Sequence, residues 1–229
     1  MKYRLYFAFT FSYLALTVMM LTAAASAKAK TWTFDKENVQ ELPSGWLSEH
    51  TGQGSKGHWK VAADPTAPSR PNVLAQLSDD ATNYRFPLAI IEKANYKDVV
   101  LSVRFKAISG ARDQGAGLVW RFRDANNYYI VRANALENNV VLYKVQDGKR
   151  ISLAPKGTLE KTYGVKASVP SKTWNKLGVA VKGNLFTVSL NGQKLFEVED
   201  YTFAEAGKIG LWTKADSVIY FDDLTAEGE

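Results

Sequence analysis

The sequence predicts an all-β protein, a two-sheet antiparallel jelly-roll sandwich, and three observations carry the prediction. Short runs along most of the chain alternate between apolar and polar side chains, the pattern of strands with one buried face. Asp147-Gly148, Gly183-Asn184 and Asn191-Gly192 separate several of these runs, and glycine-containing pairs of this kind are the strongest short-range sign of a hairpin. No stretch sustains apolar residues at helical spacing. About a dozen strands follow, enough for two packed sheets.

Residues 1–27 stand apart. Lys2 and Arg4 precede an uncharged apolar run from Leu5 to about Leu21, and Ala25-Ser26-Ala27 completes the small-residue pattern of a secretory signal cleaved after Ala27. An uncleaved anchor is the alternative, because the run is nearly long enough to span a bilayer. Nothing in the remaining chain is, so the mature protein is expected to have no membrane span. Residues 28–229 then form one sandwich domain, an ordinary length for a single all-β unit. Thr31 to Phe34 alternates and forms a short strand, Leu42 to Trp46 turns the chain, and a loop continues to Gly57. That loop spells a literal G-x-G-x-x-G at Gly52, Gly54 and Gly57. A dinucleotide fingerprint must follow a strand and open a helix, whereas His58 to Val61 reads as a strand. Asp64 to Pro71 is a proline-rich loop, since proline cannot donate to a ladder. Val73–Leu77, Phe86–Ile91 and Val99–Phe105 read as successive strands.

The central stretch, Gly117 to Ala154, holds three alternating runs and the start of a fourth. Side chains alternate across a strand, so Leu118, Trp120 and Phe122 share one side of the first run and Val119, Arg121 and Arg123 the other. On the second, Tyr129, Val131 and Ala133 oppose Tyr128, Ile130, Arg132 and Asn134; on the third, Val140 and Leu142 oppose Val141, Tyr143 and Val145. The expected core therefore contains Trp120, Phe122, Val131 and Leu142, and an open face displays Arg121, Arg123, Arg132, Asn134 and Tyr143. Pro155 to Ser171 is a polar excursion at the sandwich edge. Two tight hairpins follow over Lys176–Lys182, Leu185–Leu190 and Lys194–Val198. Ile209 and Leu211 then face the core, with Trp212 and Lys214 facing away, and Ser217 to Leu224 closes the fold.

Two stretches also carry a resemblance. The run from Arg121 to Val140 (RFRDANNYYIVRANALENNV), the Asp147-Gly148-Lys149-Arg150 turn, and the GLWTKADS and YFDDL segments near the C-terminus resemble bacterial secreted domains with concanavalin A-like, laminin G-like sandwiches. These are grouped with the 3-keto-disaccharide hydrolases, relatives of family 16 glycoside hydrolases. The resemblance implies a concanavalin A-like fold, and that fold serves lectins, hydrolases, lyases and adhesion modules alike. Many such sandwiches hold a structural calcium between a closing-strand aspartate and a ligand near the N-terminus. By that resemblance Asp222 and Asp223 are candidate ligands with Asp35 as partner, and a plain strand end is the alternative.

Removing the leader leaves 27 basic and 23 acidic residues, a net charge of +4. Such a mild balance argues against nucleic acid as a partner. There is no cysteine, which excludes disulfides, thiolate metal sites and a lipidated N-terminal cysteine. His50 and His58 are the only histidines and no H-E-x-x-H accompanies them, which argues against a zinc enzyme. No G-x-S-x-G turn supports a serine hydrolase. Family 16 hydrolases carry their carboxylates in a Glu-x-Asp-x-x-Glu strand, and no Glu-x-Asp exists here. Asp124, Glu137 and Asp216 flank the expected open face as substitute carboxylates for glycoside hydrolysis, with backbone capping in turns as the alternative role. Sugar binding asks for less: a few aromatic faces and fixed multi-donor side chains. Arg121, Arg132, Asn134, Tyr143, Trp212 and Lys214 supply them on one face. The expectation is a secreted or periplasmic carbohydrate-binding module. A 3-keto-disaccharide hydrolase and an adhesion domain without small ligand are the alternatives. Arg132, mid-strand, is the expected centre of the face, unless it forms a structural ion pair with Asp124, Glu137 or Asp216.

Overall fold

The computed structural model describes residues 1–2 and 29–228, so all but the first two residues of the expected leader lie outside the described residues. The first eight strands are β1 (Lys30–Trp32), β2 (Trp46–Gly52), β3 (Trp59–Ala63), β4 (Asn72–Gln76), β5 (Arg85–Tyr96), β6 (Val99–Ser109), β7 (Gly115–Asp124) and β8 (Asn127–Asn134). The second eight are β9 (Asn139–Gln146), β10 (Lys149–Leu153), β11 (Val165–Lys166), β12 (Asn175–Lys182), β13 (Leu185–Leu190), β14 (Gln193–Glu199), β15 (Gly207–Thr213) and β16 (Val218–Gly228). No helix occurs among the described residues. Sheet 1 runs β14-β13-β12-β6-β16-β4-β3 with β1 beside β16, and sheet 2 runs β10-β9-β8-β7-β15-β5-β2 with β11 beside β9. Every ladder is antiparallel, as in the expected two-sheet jelly-roll sandwich.

The turn chemistry is the expected one. Asp147 and Gly148 take φ 50° and 75°, Asn191 and Gly192 take φ 51° and 83°, and Gly183 takes φ 55°. Positive φ at both central residues matches the twist of the flanking strands, which is why Asp-Gly and Asn-Gly occupy these corners. β2 departs from expectation, because Trp46 to Gly52 pairs with β5 where a loop was foreseen. As an edge strand it carries few apolar residues and so lacks the alternation that reveals a strand.

The two sheets enclose an apolar core in which Trp120 stacks on Tyr129 at 5.5 Å and meets Phe186 of sheet 1 edge-on at 5.3 Å. Val131, Leu142, Ile209 and Leu211 join it as expected. Phe122 does not. The β7–β8 register shifts between Trp120 and Asp124, and Arg121 adopts φ 48°. A bulge of this kind reverses which side the following residues face. Phe122 consequently turns to the outer face of sheet 2, and Arg121 turns inward to the edge of the core. There its guanidinium donates to the carbonyls of Phe203 (2.7 Å), Gly183 (2.6 Å) and Lys97 (3.0 Å), tying three loops together. Arg123 lies over the Phe203 ring, 5.0 Å from its centre.

Trp120→Ala removes the one fully buried tryptophan of this core and is expected to cost about 3–5 kcal/mol, measured by urea unfolding at constant slope.

Candidate functional site

The outer face of sheet 2 is not the open surface that strand parity alone implied. Phe86, Leu88, Ile90, Val119, Phe122, Tyr128, Ile130, Val141, Tyr143, Val145 and Trp212 form a second apolar cluster on it, and all are buried. The sheet curls over this filling, and each margin reaches a strand that is not its ladder neighbour. Thr51 of β2 lies 2.9 Å from the Tyr128 hydroxyl of β8 and donates to the Ala125 carbonyl. From the other margin, Arg150 of β10 places its guanidinium 4.6 Å from the Phe86 ring of β5. Two glycines on β7 make the packing possible. A Cβ on Gly115 would sit 3.4 Å from the Trp212 ring, and one on Gly117 would sit 3.2 Å from it and 2.9 Å from Ile130.

At one end of the roll a polar network replaces the apolar filling. The register sets Gly117 opposite Arg132 and Gly115 opposite Asn134, and Asn139 pairs with Asn134 on the next strand. Arg132 is fully buried. It donates to Glu137 (2.8 Å), to the Tyr163 hydroxyl (3.1 Å) and to the Asn139 side chain, while its Nε is buried without an acceptor. The Asn134 amide donates to both Asp113 (2.7 Å) and Glu137 (3.2 Å), so these two carboxylates lie within two hydrogen bonds of each other. Lys214 pairs with Asp113, and the hydroxyls of Tyr143 and Tyr163 are bonded to each other.

The two carboxyls are tuned in opposite directions. Burial pushes the Asp113 carboxyl up despite the bond from Lys214. For Glu137 burial acts in the same sense, but the Arg132 guanidinium and the Asn139 amide outweigh it and hold the carboxyl below its ordinary value. Burial also pushes the Tyr143 phenol up.

Of the residues selected from sequence, Arg132, Asn134, Tyr143, Trp212 and Lys214 come together, and Arg121 does not. The ion pair considered for Arg132 forms, with Glu137. Asp124 caps its own turn by accepting from the Asn126 backbone (2.7 Å) and the Asn127 amide (3.1 Å). Asp216 accepts from the backbones of Ala111 (2.7 Å), Arg112 (2.9 Å) and Asp113 (2.9 Å), fixing the loop that carries Asp113. Both therefore play the capping role. Sequence reasoning missed Asp113, Asn139, Arg150 and Tyr163. Asn139 and Arg150 left a signal: the alternation puts Asn139 on the side of Val141 and Tyr143, and continuing it through the Asp147-Gly148 turn places Arg150 opposite Val145 on the same face.

A family model described as a 3-keto-alpha-glucoside-1,2-lyase-like domain matches residues 34–227. The chain belongs to this family. None of the curated proteins matches it. Among solved structures it is similar to carbohydrate binding module CBM66 from Bacillus subtilis, at TM-score 0.61 and 19% identity over 85% of this chain and 99% of that one. Cellulose induced protein Cip1 gives TM-score 0.60 and 11% identity over 86% and 96%. Domain 4 of AbnA, an extracellular GH43 arabinanase from Geobacillus stearothermophilus solved in complex with arabinotriose, gives 0.52 and 12% over 89% and 93%. At such identities the likeness is one of fold.

Calcium takes its oxygens from carboxylates and backbone carbonyls together. No three histidine or acidic side chains among the described residues gather closely enough to hold a metal ion. Asp222 is fully buried and accepts from the backbones of Ser69 (2.8 Å) and Asp223 (2.8 Å). Asp223 accepts from the Ser69 hydroxyl (2.6 Å) and faces Arg104, and Asp35 accepts from the Asn72 backbone (3.1 Å). Burial, aided by the charges of Asp223 and Asp35, pushes the Asp222 carboxyl up to about 7.

An unfolded aspartate titrates near 4, so the folded state retains a proton that the unfolded chain has lost. Stability from Asp222 is therefore complete below about pH 4 and drains away as pH rises to about 7. Asp222→Asn is expected to flatten the melting profile across that window and to melt higher than the wild type at pH 8. A wild-type profile already flat between pH 4 and 7 would contradict this.

Proposed function

We propose that the protein is a carbohydrate-binding β-sandwich module, exported to the periplasm or beyond the cell, that takes its ligand at the polar mouth of the rolled sheet. The convergence at that mouth carries the reading. The half-exposed ring of Tyr163 lies against the buried guanidinium of Arg132, and the Asn134 amide and Lys214 ammonium are fixed in the same network. Sugars present apolar C–H faces and polar edges, and this set answers both. Glu137, Lys214 and Tyr163 reach solvent and give the ligand an approach. The fold shared with carbohydrate binding module CBM66, and with an arabinanase domain solved with arabinotriose, points the same way.

Turnover is the second reading, favoured by one observation. Asp113 and Glu137 meet at Asn134 with their acidities pushed apart, an arrangement from which acid–base pairs are made. In this reading the domain cleaves an oxidised glucoside of the type named by its family. Against it, both oxygens of Asp113 are spent on Asn134 and Lys214, and its side chain is 1% exposed.

A glycan array followed by product analysis of every hit separates the two: retention without new products is expected, and a released sugar would establish the enzyme. Arg132→Lys keeps the charge but cannot reach Glu137, Asn139 and Tyr163 together. It is expected to lose about 1–3 kcal/mol of stability and about ten-fold in affinity for an array hit. Unchanged affinity with a lower melting point would make Arg132 purely structural. For export, N-terminal sequencing of the mature protein is expected to start at Lys28.

A further inference from the structure

Of the cations on this face two have carboxylates of their own, Arg132 with Glu137 and Lys214 with Asp113, and a third, Arg150, shares the Tyr143 ring with Arg132. Arg150 has no carboxylate of its own among the described residues. Its guanidinium is held by aromatic rings instead, 4.4 Å from the centre of Tyr143, 4.6 Å from Phe86 and 5.8 Å from Trp212. Within this cage Nη1 is buried without an acceptor. The Nε and Nη2 edge is not buried in the same way and makes no hydrogen bond to the described residues. Two of the three charges are thus neutralised in place, and the third waits in a weakly polar setting where a counter-charge is worth more than in water.

The geometry of the guanidinium edge says what kind of counter-charge fits it. A guanidinium edge offers two parallel N–H donors, which match the two oxygens of a carboxylate and not the single oxygen of a hydroxyl. The rings hold its plane, so little rotamer freedom remains to be lost on binding. We propose, building on the binding reading of the same mouth, that the ligand is an acidic saccharide and that Arg150 receives the carboxylate of a hexuronic acid residue. The competing role for Arg150 is a plug that covers the apolar filling of the roll and meets no ligand.

Calorimetric titration of the mature protein with trigalacturonate and with its carboxyl-reduced counterpart tests this, since the two sugars differ in the carboxylates alone. The wild type is expected to bind the uronate at least about ten-fold more tightly, the scale of a hydrogen-bonded charge pair, with the preference shrinking as salt is added. Arg150→Lys is expected to reduce the preference to about two- to three-fold by removing the fork. Lys149→Gln, which removes a charge from an exposed neighbour, is expected to preserve it. Equal affinity of the wild type for both sugars, or a preference that survives Arg150→Lys, overturns the proposal. If Arg150→Lys does not fold, the wild-type comparison of the two sugars still decides. Binding of neutral glycans without any uronate preference would leave the module reading standing and remove only the acidic ligand. Failure to bind any glycan on the array would remove both.

Discussion

A sheet buried on both faces leaves its polar side chains nowhere to go but one another, and sheet 2 is such a sheet. Its inner face packs on sheet 1 through Trp120 and Tyr129, and its outer face is filled by Trp212, Phe86, Tyr128 and their neighbours. A buried charge without a partner is costly enough that the group neutralises or the structure moves. The chain from Lys214 through Asp113, Asn134 and Glu137 to Arg132 is the outcome. Gly115 and Gly117 sit beneath it, where a Cβ would lie 3.0 Å from an Asp113 carboxylate oxygen at the first and 2.9 Å from Ile130 and 3.2 Å from the Trp212 ring at the second.

How much of this could be read beforehand depends on what a contact requires. Hairpin corners are local, and Asp147-Gly148 and Asn191-Gly192 hold the positive φ values their residue types favour. Strand parity is local too, and it placed Arg132, Asn134, Tyr143, Trp212 and Lys214 on one face. Parity does not say whether that face is covered. The clue lay in Tyr128-Tyr129-Ile130-Val131 and Val140 to Tyr143, where both sides of the strand are apolar, the mark of a strand buried twice. Arg121 escaped because a bulge two residues from the turn reverses its side. Asp113 escaped because its partners lie 21 and 101 residues away, across a closure that no local pattern records. Tyr163 escaped inside a polar excursion whose only regular element is the two-residue β11.

The same closure bears on the choice between binding and turnover. Atoms that serve in acid–base chemistry must exchange protons with a substrate, and Asp113 is buried with each oxygen already hydrogen-bonded. A network saturated in this way is suited to holding donors still. For a ligand such as a sugar, with many weak polar contacts, rigidity in the receptor is worth as much as any added contact, because ordering costs are met when the protein folds. The Arg150 edge, which makes no hydrogen bond to the described residues, offers donors, and the solvent-reaching Glu137 carboxylate and Tyr163 hydroxyl offer acceptors. Donors and acceptors together suit sugar hydroxyls, which act as both.

Three buried aspartates show how the fold sets charge by counting partners. Asp216 accepts three backbone N–H groups, and although burial opposes its charge these bonds hold its carboxyl below the ordinary range. Asp113 has one ammonium and one amide against deep burial, and its carboxyl goes up. Asp222 has two backbone donors and two carboxylate neighbours, and goes up to about 7. Burial opposes the charge in all three, most strongly at Asp113, and the outcome follows from how far the partners offset it. Asp222 belongs to β16 of sheet 1, whereas Arg132 and Arg150 belong to sheet 2, and they share no partner. Distant groups without common partners contribute additively. The pH dependence set at the closing strand can therefore be separated from the recognition chemistry of the rolled sheet, since removing the first leaves the geometry of the second in place.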